Sequence, residues 1–371
     1  MYKRQNLYHS YNILHLKDQQ ASIGHLYEML EGQVAILSSG LLSGEESLAL
    51  LESLRHSRLY EPDQHSYILY PDRKLIGFLE KNVMTPAQVS DLEVVSELVK
   101  AQDKTLIIRD EDGNYHFSGH IRNLKDVIRS LEALKGRPQY RELVRAETEQ
   151  IEALFETTFH HDEFTGRSGT FFAYEGLGSI YWHMVSKHLL AVQETVMRAR
   201  NEPSARALIE KYADIRKGQG FNKSPDEYGA FPTDPYSHTP LGHGAKQPGM
   251  TGLVKEEILT RQTELGLSIE NGNLAFDFLL LDRHEFLDAS SVFTYWDVDG
   301  QTQHIELKAG SLAYSICQVP VILQTSNEAT IQVHLTDGST QHIEGHGLDS
   351  VNSRHIFQRD GVIHHLVVSL N

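Results

Sequence analysis

Apolar positions in the first two-thirds of the chain recur mostly with helical spacing. Ile23, Leu26, Tyr27, Leu30 and Val34 fall three and four apart, which predicts a helix over residues 21–34. Ser43-Gly-Glu-Glu46 has capping-box spacing, and Leu48, Leu51 and Leu54 carry the period onward into a second helix. Further amphipathic segments are predicted at 75–81, 87–101, 124–134, 140–159, 180–198 and 205–215, so most of the first 265 residues reads as helical. After Gly266 the pattern changes to alternation, with strands predicted at 292–296, 304–307, 331–335 and 365–368. Asp299-Gly300, Asp337-Gly338 and Asp360-Gly361 each lie between strand-like runs and predict hairpins.

The predicted organisation is multidomain α plus β. Residues 6–265 form a domain of helical hairpins, and residues 266–371 form an antiparallel β-sandwich. The length of 371 residues suits that division, since domains run to roughly 150 residues. A net charge of −16 without a basic cluster argues against nucleic acid as a partner. Cys317 is the only cysteine, which excludes an internal disulfide and a multi-cysteine zinc site. It lies in a strand-like run over 311–323 and reads as a small core residue. No run reaches the roughly 18 apolar residues of a membrane span. The N-terminus lacks a hydrophobic signal core, which favours the cytoplasm over export. Met1-Tyr2-Lys3-Arg4-Gln5 resembles a translated transposase sequencing adapter read from a GTG start. On that reading the natural sequence begins near Asn6, the chain is the C-terminal piece of a longer protein, and the localisation argument lapses. The pattern sets no oligomeric state.

Candidate chemistry gathers in the polar connections between helices. The stretch from Gly220 to Gly252 is interrupted by Pro225, Pro232, Pro235, Pro240 and Pro248, so it predicts a long connection and neither a helix nor a central strand. Its aromatics suit stacking on sugar rings and its carboxylates suit hydroxyl binding. Asp226, Glu227 and Asp234 are candidate hydroxyl-binding carboxylates; Lys223, His238 and His243 are candidate anion or hydroxyl ligands; Tyr228, Phe231 and Tyr236 are candidate stacking platforms. The plainer alternative is a segment packed over the helices. Thr251 opens the next helix, whose first-turn N–H groups form a natural anion site. In the plain reading of that helix Thr251 is an N-cap, Val254, Ile258 and Leu259 form its apolar stripe, and Glu256 and Glu257 are solvated. The stretch 164–178 supplies Arg167 and Glu175, a hydroxyl-binding or acid–base pair, with a surface ion pair as the alternative. Residues 64–73 add Tyr67 and Asp72 as candidate substrate contacts, ranked below the other two stretches, with a turn at Asp72-Arg73 and a satisfied loop histidine at His65 as the alternative. No metal is predicted. His160-His161-Asp162-Glu163 lacks ligand spacing, and no His-Glu-x-x-His element occurs. Ser168 sits in Gly-Arg-Ser-Gly, not in a nucleophile elbow, and His304, His334, His364 and His365 read as strand positions without chemistry.

The helix over 254–265 runs directly into Gly266-Leu-Ser-Ile-Glu-Asn-Gly-Asn-Leu-Ala-Phe-Asp-Phe278. This junction resembles that of the cellobiose-phosphorylase group, where the last helix of a six-hairpin α/α barrel opens a C-terminal sandwich. Phe278 stands where that group has proline. The blocks at 7–12, 67–73, 164–187 and 231–261 also resemble the C-terminal part of large bacterial proteins related to that group. The resemblance implies a partial α/α toroid and inverting hydrolysis or phosphorolysis of a glycosidic bond. In that chemistry a carboxylic acid protonates the leaving oxygen while base-activated water or phosphate attacks from the opposite face. It implies Glu175, Asp226, Glu227 and Asp234 as the carboxylates, a carbohydrate substrate, no cofactor, and inorganic phosphate as a co-substrate in the phosphorolytic case. The alternative reading is a noncatalytic carbohydrate-binding or scaffold protein on the same fold.

Overall fold

The computed structural model describes residues 3–4, 6–10, 12–17, 20–25, 28–71, 78–159, 179–219, 224, 238–240, 252–326 and 328–370. Contacts divide the chain into two compact units. One joins residues 1–67 to 180–371, and the other is the continuous stretch 68–179. The second unit is therefore an insertion in the chain of the first, and the change of periodicity at Gly266 falls inside the first.

The first unit begins with short hairpins: β1 (Lys3–Arg4) with β2 (Leu7–Tyr8), and β3 (Asn12–Lys17) with β4 (Gln20–His25). The helix expected over 21–34 therefore starts only at Leu30, as α1 (Leu30–Ser38). Ile23 faces Leu14 across the hairpin and both are exposed, so the three-and-four spacing joined residues of two different elements. The helix α2 (Gly44–Arg55) begins as expected, with Ser43 and Glu46 closing a capping box. A small hairpin of β5 (Tyr60–Glu61) and β6 (Ser66–Tyr67) then ends at the border of the unit.

The inserted unit contains α3 (Phe78–Lys81), α4 (Pro86–Val89), α5 (Glu93–Lys100), the hairpin β7 (Ile107–Arg109) and β8 (Tyr115–Phe117), α6 (Leu124–Lys135) and α7 (Arg141–Phe159). Its core joins Val94, Val95 and Leu98 to Val127, Leu131, Ile151 and Phe155. The helix expected over 87–101 is broken into two. Glu147 of α7 accepts from the backbone N–H groups of Glu93 and Val94 at 2.8 and 3.0 Å and so starts α5 afresh. Asn82 brackets Phe117 with a donor and an acceptor, each at 2.8 Å, and thus extends the pairing of β8.

The chain re-enters the first unit through β9 (Ser179–Tyr181), paired with β10 (His238–Pro240). The helices α8 (Trp182–Arg198), α9 (Ala205–Lys217) and α10 (Gly252–Glu264) follow. α8 is the central helix and is buried on nearly every side, with α1, α9 and α10 packed around it. α10 is turned opposite to expectation. It buries Glu256, Thr260 and Glu264, while Val254 and Ile258 are 56% and 52% exposed. Polar neighbours meet these positions: His183 at Oε1 of Glu256, Gln193 at the Thr260 carbonyl, and Tyr212 and Arg216 at Glu264. Among the described residues no helix is long and apolar enough to cross a membrane.

Gly266 ends α10 at φ +83°, and a Cβ there would lie 2.6 Å from the ring of Phe278. The C-terminal region opens with the hairpins β11 (Leu267–Glu270) with β12 (Asn273–Phe276) and β13 (Ser291–Trp296) with β14 (Thr302–Leu307). A five-stranded sheet follows, built from β15 (Ser311–Ile316), β16 (Val319–Thr325), β17 (Thr330–Leu335), β18 (Thr340–Glu344) and β19 (Ile363–Leu370) in the order β15-β16-β19-β17-β18. Pairing is antiparallel except between β16 and β19, which run parallel.

Two expectations change here. Asp299-Gly300 and Asp337-Gly338 turn hairpins, but Asp360-Gly361 links a helix, α11 (Ser350–Gln358), to β19. Asp349 caps that helix from its N-terminus and Arg359 leaves it in the left-handed region, so a strand-like run upstream was in fact helical. The run over 311–323 is two strands, and Cys317 with Gln318 forms the tight turn between them at φ 49° and 67°.

Candidate functional site

Four chain ends meet at one end of the helical layer. α9 runs antiparallel to α8: Gln193 reaches the Tyr212 hydroxyl at 3.0 Å, and Gln219, beyond the C-terminus of α9, is bonded to Ser186 at 3.3 Å. α10 runs in the same direction as α8, with His183 beside Glu256 and Gln193 bonded to the Thr260 carbonyl at 2.9 Å. α2 lies parallel to α9, tied by Lys211 to Glu52 at 2.6 Å and by Arg55 to Asp214 at 3.5 Å. The end of α2 with its hairpin, the start of α8, the end of α9 and the start of α10 are thereby level. The chain leaves the first unit at Tyr67 and returns at Ile180 at this end. The stretch between Gln219 and Gly252 also begins and ends here.

Most of the expected site residues lie in the stretches 68–179 and 220–251 that these ends bound. Asp72, Arg167, Glu175, Lys223, Asp226, Glu227, Tyr228, Phe231, Asp234, Tyr236, His243 and Thr251 lie outside the described residues. His238 is placed by its backbone, in β10, which pairs with β9. Tyr67 is the one expected contact whose side chain is described, and it is buried. Arg55 donates to its hydroxyl, and burial pushes that hydroxyl above the ordinary tyrosine range. Its ring meets His188 edge-on at 5.1 Å. Arg55 also lies 3.6 Å over the Tyr60 ring, and His65 binds Asp214 at 3.2 Å, so the hairpin is locked to α2 and α9.

Three residues at this end had no place among the expected contacts. Tyr181 closes β9 and its hydroxyl lies 3.2 Å from Nδ1 of His183. The Nε2 of His183 lies 3.3 Å from Oε1 of Glu256. Glu256 is only 3% exposed, and its Oε2 is buried with no partner among the described residues. A buried carboxylate oxygen without a donor is costly, and such groups concentrate where a protein handles a ligand. The sequence offered one usable signal, Tyr181-x-His183 at the mouth of a helix; the inward turn of Glu256 had none.

Other charged clusters are self-contained. Arg216 grips Glu257 with two bonds of 2.7 and 2.9 Å and reaches Glu264 at 3.0 Å, while Tyr212 donates to Glu264 at 2.5 Å. A neighbouring cleft of about 580 Å³ is lined by these groups, with Arg261 bonded to Glu285 at 2.8 Å. Its Arg216, Arg261, Glu264 and Glu285 are spent on one another, which marks a structural network. Among the described residues no group of three or more His, Cys, Asp or Glu side chains could hold a metal ion.

Residues 75–162 match the family model described as GH149 phosphorylase insertion domain 2. The matched stretch falls within the inserted unit 68–179. No curated protein matches the chain. The match supports a relationship to glycoside phosphorylases and covers less than half of the chain.

Proposed function

We propose that the chain is part of an inverting glycoside phosphorylase that cleaves an oligo- or polysaccharide with inorganic phosphate. One observation carries this reading. The stretch that matches a phosphorylase insertion domain lies in a compact unit that contacts alone define as an insertion, between Tyr67 and Ile180. Function does not follow from fold, but an insertion domain of a phosphorylase lying inside a larger unit is a specific arrangement. In this reading α1, α2, α8, α9 and α10 are part of an α/α toroid, and the strands after Gly266 belong to its C-terminal sandwich.

The reaction needs few groups. A carboxylic acid gives its proton to the leaving glycosidic oxygen, and a phosphate oxygen attacks the anomeric carbon from the opposite face. The C–O bond to the leaving sugar breaks, a new C–O bond to phosphate forms, and the product is a sugar 1-phosphate of inverted configuration. Phosphate is already a competent nucleophile, so no base is required. Glu175, Asp226, Glu227 and Asp234 are the carboxylates assigned to the acid and to hydroxyl clamping. Lys223, His238, His243 and Thr251 are assigned to the anion or sugar hydroxyls, together with Arg167 and Asp72. Tyr228, Phe231 and Tyr236 are the stacking residues.

The test incubates the protein with glucose oligosaccharides of each common linkage, with and without inorganic phosphate, and follows the products by phosphorus NMR. A sugar 1-phosphate formed only with phosphate is the expected result. Reducing sugar released without phosphate would make the enzyme a hydrolase. Oligosaccharide binding without turnover would favour the noncatalytic carbohydrate-binding reading.

A further inference from the structure

We propose that Glu256 is a carbohydrate-contacting residue, whose carboxylate oxygen Oε2 accepts a hydrogen bond from a sugar hydroxyl at the level where α8 and α10 begin. The proposal rests on the reading that this end of the helical layer handles a carbohydrate.

Glu256 is buried and only half satisfied. Its Oε1 lies 3.3 Å from Nε2 of His183, while Oε2 meets no donor among the described residues. The His183 contact needs only a proton on Nε2. The Nε2–H tautomer and the imidazolium both supply one, so the state of that ring does not change what Oε2 lacks. Oε2 is also closed to solvent, so bulk water does not fill it. A carboxylate oxygen in that condition is more costly than a neutral group, because burial strips hydration from a charge. A ligand hydroxyl supplies the missing donor in a charge-assisted bond, the stronger kind.

The other carboxylates of the helix show what a structural role looks like. Glu257 takes two bonds from Arg216, and Glu264 is held by Tyr212, Arg216 and Arg261. Glu256 has no Arg or Lys beside it among the described residues. Its charge is favoured by position instead. α8 and α10 run in the same direction, so both turn the positive ends of their backbone dipoles toward this level. Glu256 is the fifth residue of α10, and side chains lean toward a helix N-terminus, which carries the carboxylate back to the first turn. His183 beside it has 22% of its side chain exposed, so the pair lies at the accessible margin of the packed layer. Charge then selects the ligand group. The carboxylate repels a phosphate oxygen and favours a neutral donor, which a sugar hydroxyl is.

The test sets affinity against stability in the purified protein. Glu256→Gln keeps the shape and an acceptor for Nε2 of His183 and removes the charge. It is expected to raise Tm without ligand, because an uncompensated buried charge is gone. It is also expected to raise KM for the carbohydrate about tenfold, the loss of one charge-assisted bond, with KM for phosphate unchanged. Glu264→Gln, which weakens a filled network on the same helix, should do the opposite: lower Tm and leave both KM values. Monodeoxy analogues of the bound glucose oligosaccharide then locate the hydroxyl. One deoxy position should weaken binding to the native protein about tenfold and to Glu256→Gln hardly at all, the coupling expected of groups in contact. An unchanged carbohydrate KM in Glu256→Gln overturns the proposal, and a lowered Tm with it makes Glu256 structural. Equal sensitivity of the two proteins to every analogue also overturns it, since a trapped water then fills Oε2. Where oligosaccharide binds without turnover, calorimetric affinities replace KM. If the native protein neither turns over nor binds the oligosaccharides, the functional reading falls and takes the proposal with it, whereas native turnover with an indifferent Glu256→Gln defeats the proposal alone. Should Glu256→Gln fail to fold, Glu256→Met is judged by the same analogues.

Discussion

A Cβ on Gly218 would lie 2.2 Å from the carbonyl oxygen of His65. The backbone at the end of α9 and the backbone of the β5–β6 hairpin therefore touch with no room for a side chain. Only glycine allows this approach, and it brings Tyr67 to the end of the layer where the candidate segments begin. The obstacle is main chain on both sides, so it cannot swing away as a flexible side chain would. Gly218→Ala is expected to destabilise the protein by about 2 kcal/mol, as overpacked sites do. Chemical denaturation measures it, and a loss below about 0.5 kcal/mol, typical of unconstrained surface sites, would show that the hairpin shifts freely.

Local signals in the sequence located elements well where a single element carried them. Ser43 and Glu46 marked the start of α2, and Asp299-Gly300 and Asp337-Gly338 marked two hairpins, because capping and tight turns are decided within four residues. Reading failed where spacing crossed an element border, as between Ile23 in β4 and Leu30 in α1. It failed again where a distant side chain decided the outcome. Glu147 lies more than fifty residues from the helix start it creates, and no pattern within residues 87–101 reveals it. At the candidate site the burial of Glu256 had no signal in the sequence, since an inward-facing carboxylate depends on His183, far away in the chain.

Glu147 supplies the second prediction. Its two oxygens take up the N–H groups of Glu93 and Val94, and Val94 is fully buried. Removing the carboxylate strands both donors at the start of α5. Glu147→Ala should cost about 2 kcal/mol locally, in the range for unsatisfied buried groups. Amide exchange is the suitable measurement because it reports the inserted unit without requiring the whole chain to unfold. Protection should fall across Glu93–Lys100 first; unchanged exchange there would mean that another acceptor replaces the carboxylate.

Cys317 and Gln318 both hold positive φ in the two-residue turn between β15 and β16. A side chain in the left-handed region costs roughly 1–2 kcal/mol, and glycine or asparagine relieves most of it. Gln318 is useful where it is, since its amide donates to the Asp297 carbonyl at 2.7 Å. Cys317 forms no disulfide. Cys317→Gly is therefore expected to raise stability by about 0.5–1 kcal/mol in denaturant titrations. A loss would show that the thiol's packing against the sheet outweighs the strain.

Acid should weaken the C-terminal sheet. His334 and His365 are cross-strand partners whose rings stack at 4.2 Å, and His364 adds a contact of 2.7 Å to His365. Burial, with the neighbouring His334 and His364, pushes His365 down from 6.5 to about 4. In the helical layer, burial alone pushes His188 down to about 3. An unfolded histidine takes its proton near 6.5, before the folded one does, so protons favour the unfolded chain in the interval. Stability is then complete above pH 6.5 and falls as the pH drops, through about 4 for His365 and about 3 for His188. For the partly exposed His365 the loss is on the order of 1–2 kcal/mol after allowance for solvent screening. Denaturant midpoints between pH 7 and 4 check the sign, and His365→Gln should flatten the slope. An unaltered slope in that variant would place the acid sensitivity elsewhere.

Tyr67 separates packing from binding at the expected site. Its ring is buried against His188 and its hydroxyl accepts from Arg55, which also contacts Asp214 and the Tyr60 face. Tyr67→Phe keeps the ring and deprives Arg55 of one acceptor among several. The expected result is a stability loss of about 1 kcal/mol, the ordinary value for a single hydrogen bond, with little change in KM for the carbohydrate. A large KM effect would mean that the hydroxyl reaches the ligand despite its burial, and would place the binding surface at the β5–β6 hairpin.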